Sequence, residues 1–137
     1  MKKGLTIGMK ETLNITVTSD MFAAFDGEIV HPAYSTASMV KHMEQVSRQL
    51  ILPYLEEIEE SAGAAVQMKH LAPTPEGSEI QCVATLSAFD ARKVTTEVEV
   101  TNAIGIIGRG TVTIAVLPKD YMTKQLEKIQ TQLNAEG

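Results

Sequence analysis

The chain has 137 residues, of which 44% are hydrophobic and 21% charged, the proportions of one globular domain with a buried core. Its net charge of −5 argues against a general nucleic-acid binder or a protein held on anionic membranes. A single cysteine, Cys82, excludes an internal disulfide, and no targeting segment or bilayer-length apolar run is present. We therefore expect one domain over residues 1–137, located in the cytoplasm.

The first elements are short. Apolar and polar side chains alternate over residues 12–18, which predicts a strand with one buried face. Residues 21–25 are interpreted as a single helical turn, and Asp26-Gly27 as a chain reversal. These elements lead into the segment around which we expect the domain to be built.

That segment is a long helix beginning near Thr36. Met39, Met43, Val46 and Leu50 recur at intervals of three and four residues and predict a stripe buried against the core. Ser and Thr residues at the start are competent N-caps, and a proline at position 53 ends or tightens the helix. Glu44 lies just outside the apolar stripe, where its pKa and its contact with water can both be tuned. A solvated surface glutamate is the alternative interpretation.

Four further strands and a second helix follow. The acidic residues 56–60 are interpreted as a solvated connector, with a divalent-cation site as a weaker alternative because the run lacks ligand spacing. Strands are predicted at residues 64–71, 78–88, 94–101 and 106–117, and a helix at residues 119–133. Short turns between the strands imply antiparallel pairing. We therefore predict an α+β domain in which a curved sheet of about five strands wraps one central helix, with a C-terminal helix that packs on the body or on a partner chain.

Few side chains suggest a cofactor or metal. The chain has no glycine-rich phosphate loop, no paired cysteines and no HExxH motif. His42 and Glu44 are two residues apart on a helix, about 200° around its axis, so they cannot share an ion. Cys82 lies among apolar neighbours and is interpreted as a core residue. We therefore expect neither a metal nor a cofactor.

Four segments of the chain carry a family resemblance: TASMVKHMEQV, LPYL, AAVQMKHLAPTPEG and IGRGT. Together they resemble the hotdog-fold acyl-CoA thioesterases, and most of all the fluoroacetyl-CoA thioesterases, over nearly the whole chain. The resemblance implies a catalytic set of Thr36, Glu44 and His70. It also implies that Gly63 lends a backbone N–H to the substrate carbonyl, and that two chains join their sheets edge to edge with a site at the interface.

The chemistry of these residues suits thioester hydrolysis, which needs a base or nucleophile and donors for the developing oxyanion. Glu44 acts on water or attacks directly. Thr36 binds the carbonyl or the water, or is itself the nucleophile, and His70 orients the carboxylate or protonates the leaving thiolate. Arg92, Lys93 and Arg109 are candidate contacts for coenzyme A phosphates, with solvated surface charges as the alternative.

The expected function is hydrolysis of a short-chain acyl-CoA by a homodimer. Two alternatives are a non-catalytic hotdog module that binds acyl-CoA and a dehydratase acting on a 3-hydroxyacyl thioester. The chain departs from the resembling family ahead of Thr36, where Ile29, Val30 and Tyr34 stand in a region otherwise rich in aromatics, and near Ile114, where an arginine is replaced. The identity of the acyl group is therefore left open.

Overall fold

The computed structural model describes residues 1–136, and it contains seven strands and two α-helices in that range. The strands are β1 (Lys10–Thr16), β2 (Phe22–Phe25), β3 (Glu28–Tyr34), β4 (Glu59–His70), β5 (Glu79–Phe89), β6 (Lys93–Thr101) and β7 (Ile106–Pro118). The helices are α1 (Thr36–Ile51) and α2 (Tyr121–Glu136), with 3₁₀ turns at Ser19–Met21 and Leu52–Tyr54. No helix in this range is long and apolar enough to cross a membrane.

Five of the strands form one antiparallel sheet in the order β1-β5-β6-β7-β4, so β1 and β4 are its edges. Helix α1 lies across the inner face of this sheet and contacts β1, β4, β5, β6 and β7. The architecture confirms the prediction of one helix wrapped by a five-stranded sheet. It also leaves one side of β4 without a strand neighbour among residues 1–136.

The core forms where the apolar stripe of α1 meets the inner face of the sheet. Met39, Met43, Val46 and Ile51 are fully buried, as the helical spacing predicts. Burying side chains of this size contributes roughly 1.5–3 kcal/mol each. Ser47, also fully buried, donates to the carbonyl of Met43 at 2.8 Å and lies 2.7 Å from the hydroxyl of Thr96 on β6. These hydrogen bonds satisfy the buried hydroxyls of Ser47 and Thr96 between α1 and the sheet.

The prediction of a single helical turn over residues 21–25 is wrong. The 3₁₀ turn is Ser19–Met21, and the chain then forms a two-stranded ribbon of β2 and β3. Asp26 and Gly27 have φ angles of 52° and 79°, the left-handed backbone that a tight hairpin requires. The strand β3 was not predicted because Pro32 interrupts it and its two faces are not distinguished by burial.

The acidic connector is also shorter than expected, because β4 begins at Glu59 and not near residue 64. Glu59 pairs with Pro118 at the end of β7, so pairing with a neighbouring strand overrides the polar sequence. Gly63 therefore lies within a strand. Ala64 is an extra residue in β4, since Gly63 pairs with Ile114 while Ala65 pairs with Thr113. Such a bulge bends an edge strand and re-aims its side chains.

Candidate active site

Thr36 and His70 meet at the start of α1. Ser35 caps the helix by accepting from the backbone N–H of Ser38 at 3.0 Å, which makes Thr36 the first helical residue. His70 is the last residue of β4. The Thr36 hydroxyl lies 2.8 Å from Nδ1 of His70. The structure thus brings together a hydroxyl and an imidazole that are 34 residues apart in the chain.

The segment after His70 fixes this arrangement. The backbone N–H of Leu71 donates to Ile107 at 2.7 Å, and that of Tyr34 donates to the carbonyl of Thr74 at 2.9 Å. Thr74 is fully buried, and its hydroxyl accepts from the Asn102 amide at 3.1 Å. The loop is therefore tied both to the residues that precede α1 and to the β6–β7 turn, which holds His70 against the helix start.

An open cleft of about 390 Å³ adjoins the Thr36–His70 pair. Its walls include Ala23, His31, Ala33 and Pro73, so the unpredicted hairpin supplies one side and the loop after His70 the other. The backbone N–H groups at the start of α1 carry the positive end of the helix dipole toward this region. The cleft therefore suits an acceptor oxygen such as a carbonyl.

The second ring nitrogen of His70 has no hydrogen-bond partner among the residues that the structure describes. Its Nε2 atom is buried and unpaired within residues 1–136, whereas Nδ1 is engaged by Thr36. A buried polar atom without a partner costs about 1–3 kcal/mol, so such atoms are rarely left unpaired. Nε2 is therefore available to an acceptor or donor that a single chain does not provide.

A buried histidine in contact with Tyr34, which lines the cleft, was not assigned a role from the sequence. His42 is 7% exposed, its Nδ1 lies 2.6 Å from the hydroxyl of Tyr34, and the two rings are stacked. Tyr34 in turn presents its ring edge-on to His70, with centroids 6.4 Å apart. Burial lowers the pKa of His42 and raises that of Tyr34. The signal was present, because position 42 lies on the stripe of Met39 and Val46.

Glu44 and Gly63 form a separate pair. A Cβ placed on Gly63 would lie 3.3 Å from Oε2 of Glu44, so the carboxylate packs directly on the glycine backbone. Glu44 is exposed, and a cleft of about 290 Å³ beside it is lined by Lys41, Arg48 and Ser61. Any larger residue at position 63 would displace the carboxylate. The two cations of this cleft, Lys41 and Arg48, were assigned no role from the sequence.

The two pairs do not meet within one chain. Thr36 and Glu44 are eight residues apart on α1, which corresponds to about 12 Å along the helix axis. On β4, Gly63 and His70 are separated by about 23 Å at the rise of an extended strand. Glu44 therefore lies well away from the Thr36–His70 contact of its own chain.

The cations predicted to contact phosphate lie elsewhere. Arg92 in the β5–β6 turn and Lys93 at the start of β6 are exposed, and their backbone N–H groups donate to the carboxylate of Asp90. Arg109 pairs with Glu99 at 3.5 Å and shares the outer face of the sheet with Lys69, opposite to the face of His70. None of the three lines either cleft as described over residues 1–136.

Metal-ligating clusters and reactive thiols are not part of the site. Within residues 1–136, no group of three His, Cys, Asp or Glu side chains is placed to hold a metal ion. Cys82 is fully buried on β5, and burial raises the pKa of its thiol to about 12. It is therefore a protonated core residue, as its apolar neighbours predicted.

Solved structures with the same architecture identify the class. A thioesterase superfamily member from Thermus thermophilus matches with a TM-score of 0.90 and 34% identity, over 97% of this chain and 98% of that chain. A point mutant of the fluoroacetyl-CoA-specific thioesterase FlK, in complex with fluoroacetate and CoA, has a TM-score of 0.80 and 25% identity, over 86% of this chain and 99% of that one. The fold and these likenesses define a hotdog-fold thioester hydrolase.

The family follows from the sequence comparisons. The family model of the fluoroacetyl-CoA-specific thioesterases (FlK) matches residues 17–120. The fluoroacetyl-CoA thioesterase of Streptantibioticus cattleyicolor is 30% identical over 128 residues, which covers 85% of this chain and 88% of the relative. The chain belongs to the fluoroacetyl-CoA-specific thioesterase family, which confirms the resemblance carried by its motifs.

Proposed function

We propose that this protein hydrolyses a short-chain acyl-CoA to the acid and free coenzyme A, as a cytoplasmic homodimer of single-domain chains spanning residues 1–137. The observation that carries the proposal is the 2.8 Å contact between Thr36 and Nδ1 of His70, with Nε2 of His70 left open. A hydroxyl that can pass its proton to an imidazole is the arrangement an acyl-transfer enzyme needs. The modest cleft beside the pair supports a small acyl group.

In the proposed reaction, the Thr36 hydroxyl gives its proton to Nδ1 of His70 while its oxygen attacks the thioester carbonyl. The carbon–sulfur bond breaks, and the departing thiolate takes the proton from His70. Water then attacks the acyl-threonine and releases its proton to His70, and the proton returns to Thr36 as the ester bond breaks. The N–H groups at the start of α1 stabilise the oxyanion in both steps.

Glu44 enters the proposal from the partner subunit. β4 is a twelve-residue edge strand, and antiparallel pairing of two copies centred on Val66 and Gln67 would bring His70 of one chain opposite Gly63 of the other. The partner subunit's Glu44 packs on the partner's Gly63 at that end. A carboxylate there would accept from Nε2 of His70, fix its tautomer and stabilise the imidazolium.

The recognition of coenzyme A is proposed to use positive charge near this interface. Lys41 and Arg48 flank Glu44 in its cleft and are the cations nearest to it on α1. Arg92, Lys93 and Arg109 remain the candidates that the sequence suggests for the phosphates. In either case the nucleotide end lies outside the apolar core, since phosphates keep their hydration or a cationic partner.

The first experiment measures thiol release across acyl-CoA chain lengths for Thr36→Ala, His70→Gln and Glu44→Gln. We expect each substitution to lower kcat by about 100-fold or more. Thr36 is the proposed nucleophile, His70 is the proton acceptor, and Glu44 orients His70. Glu57→Gln in the exposed connector removes the same charge and serves as the matched control.

The outcomes separate the alternatives. Tight acyl-CoA binding without thiol release by the wild type would indicate a binding module, and enoyl absorbance without free thiol would indicate a dehydratase. Wild-type turnover in Glu44→Gln would remove the glutamate from the mechanism, and wild-type turnover in Thr36→Ala would leave water as the nucleophile.

A further inference from the structure

The C-terminal helix α2 exposes a continuous apolar stripe. Met122 is 42% exposed, Leu126 58%, Ile129 46% and Leu133 57%, and no residue of α2 is buried. One hydrogen bond, from the backbone N–H of Met122 to Glu60 at 3.2 Å, joins the described part of the helix to β4. The sequence left open whether this helix packs on the body or on a partner chain, and in a single chain its stripe is uncovered, which favours a partner chain.

The spacing of the stripe is that of a coiled-coil seam. The four residues follow one another at intervals of four, three and four. Two apolar positions in seven make a narrow seam suited to a second helix, whereas a helix that packs on a sheet needs a wider stripe such as that of α1. The pattern therefore favours one helix as the partner of α2.

The positions beside the seam carry no charge. These flanking positions are occupied by Thr123, Gln125, Gln130 and Gln132. The charged residues Lys124, Glu127 and Lys128 lie on the outer side of the helix. When two copies of one helix pair, flanking residues of identical charge meet and repel in some orientations. Neutral flanks allow the helix to pair with itself in either direction.

We propose that α2 pairs along this seam with α2 of a second copy of the protein. An isolated sixteen-residue helix is marginal in water, and pairing buries four large apolar side chains that are otherwise wet. The helix follows β7 directly, and the last residue of β7, Pro118, pairs with Glu59 at the start of the edge strand β4. An anionic lipid surface is a poorer match, because the polar side carries only two lysines, alternating with a glutamate.

The test is site-directed crosslinking of the full-length protein. Leu126→Cys places a thiol on the seam, and Thr131→Cys places one on the outer face of the same helix. Native Cys82 is fully buried and does not compete. With a bis-maleimide spanning about 10 Å, near the separation of packed helix axes, we expect Leu126→Cys to form linked dimers several-fold faster than Thr131→Cys.

A second substitution shows whether the crosslink depends on the seam. Adding Ile129→Glu to Leu126→Cys puts a charge into the seam and should abolish the crosslink, while adding Asn134→Glu on the outer face should leave it. Equal rates for Leu126→Cys and Thr131→Cys would overturn the proposal. So would protection of Leu126→Cys from a monofunctional maleimide without any crosslink, which indicates packing on the body, or protection only by anionic vesicles, which indicates lipid.

Discussion

At the scale of single residues, His42 links the core to the site. Its ring stacks on Tyr34, whose edge faces His70, so a change of charge at position 42 would act close to the Thr36–His70 pair. Burial is the main cause of its lowered pKa, with Lys41 adding to the effect and Asp20 opposing it. The neutral imidazole is the form that fits the fold.

This burial predicts how stability depends on pH. The unfolded chain binds a proton at His42 from about pH 6.5 downward, whereas the folded chain binds it only at lower pH. The contribution of neutral His42 is therefore complete above the unfolded pKa and is lost as the pH falls, at up to about 1.4 kcal/mol per pH unit. We expect urea unfolding to show a smaller loss between pH 7 and 5 in His42→Asn than in the wild type. Parallel curves for the two proteins would contradict the assignment.

The site residues that the sequence identified lie in local motifs, whereas those that it missed are defined by contacts in space. Thr36, Glu44 and His70 were selected because motifs on a helix and a strand carry them. His42 was missed because a histidine on an apolar stripe can have several roles, and only its contact with Tyr34 indicates which one it has. Lys41 and Arg48 were missed because they share a cleft with Ser61 and Ile114, and this proximity cannot be read from the order of the chain.

At the scale of elements, the glycines Gly108 and Gly110 of β7 let α1 approach the sheet. Gly110 lies in regular pairing with β4 and β6, whereas Gly108 adjoins the register shift between β6 and β7, the kind of bulge that glycines within a strand predict. A Cβ on Gly110 would lie 2.7 Å from the carbonyl oxygen of Gln67 and 2.8 Å from Cβ of Met68. A Cβ on Gly108 would instead collide with the Met39 sulfur, the far end of a flexible side chain.

The two positions should therefore differ in their tolerance to alanine. We expect Gly110→Ala to lower the free energy of unfolding by about 1–3 kcal/mol, because backbone and Cβ atoms cannot move aside. Gly108→Ala should cost less, since Met39 can change rotamer. Gly105→Ala in the β6–β7 turn, where nothing lies within 4 Å, is the matched control and should be nearly neutral. The measurement is urea denaturation, and an equal cost at positions 108 and 110 would refute the explanation.

The long elements were predictable, whereas the short β2–β3 ribbon was not. Helix α1 and strands β5 to β7 show their periodicity over nine residues or more, so the pattern outweighs local exceptions. The β2–β3 ribbon is short and carries a proline. The start of β4 is acidic, and only its pairing with Leu117 and Pro118 makes it a strand.

At the scale of the whole molecule, the site is proposed to need two chains. In this proposal Thr36 and His70 come from one subunit and Glu44 from the other, because the two pairs lie about 12 Å apart along α1. The architecture of one chain was predictable from its patterns. The meeting of these three residues was not, since it depends on how two copies of β4 join.

Mixing inactive variants tests this arrangement. In a mixed dimer of Glu44→Gln and Thr36→Ala chains, one site regains all three side chains and the other loses two. Random exchange makes half of the dimers mixed, so we expect about a quarter of wild-type thiol release to return. Thr36→Ala mixed with His70→Gln should restore nothing, because both residues belong to the same subunit. Recovery in that control, or none in the first mixture, would exclude a site divided as proposed.

The complete burial of Cys82 matters for an enzyme proposed to release a thiol. A thioesterase liberates a free thiol at every turnover, and accessible protein thiolates attack the disulfide form of that product, releasing one thiol and forming a mixed disulfide. Here the one sulfhydryl of the chain lies among Ile80, Ala84 and Leu86 with no exposed surface and a pKa near 12. The folded enzyme therefore presents no accessible cysteine thiol with which the disulfide form of its product could react.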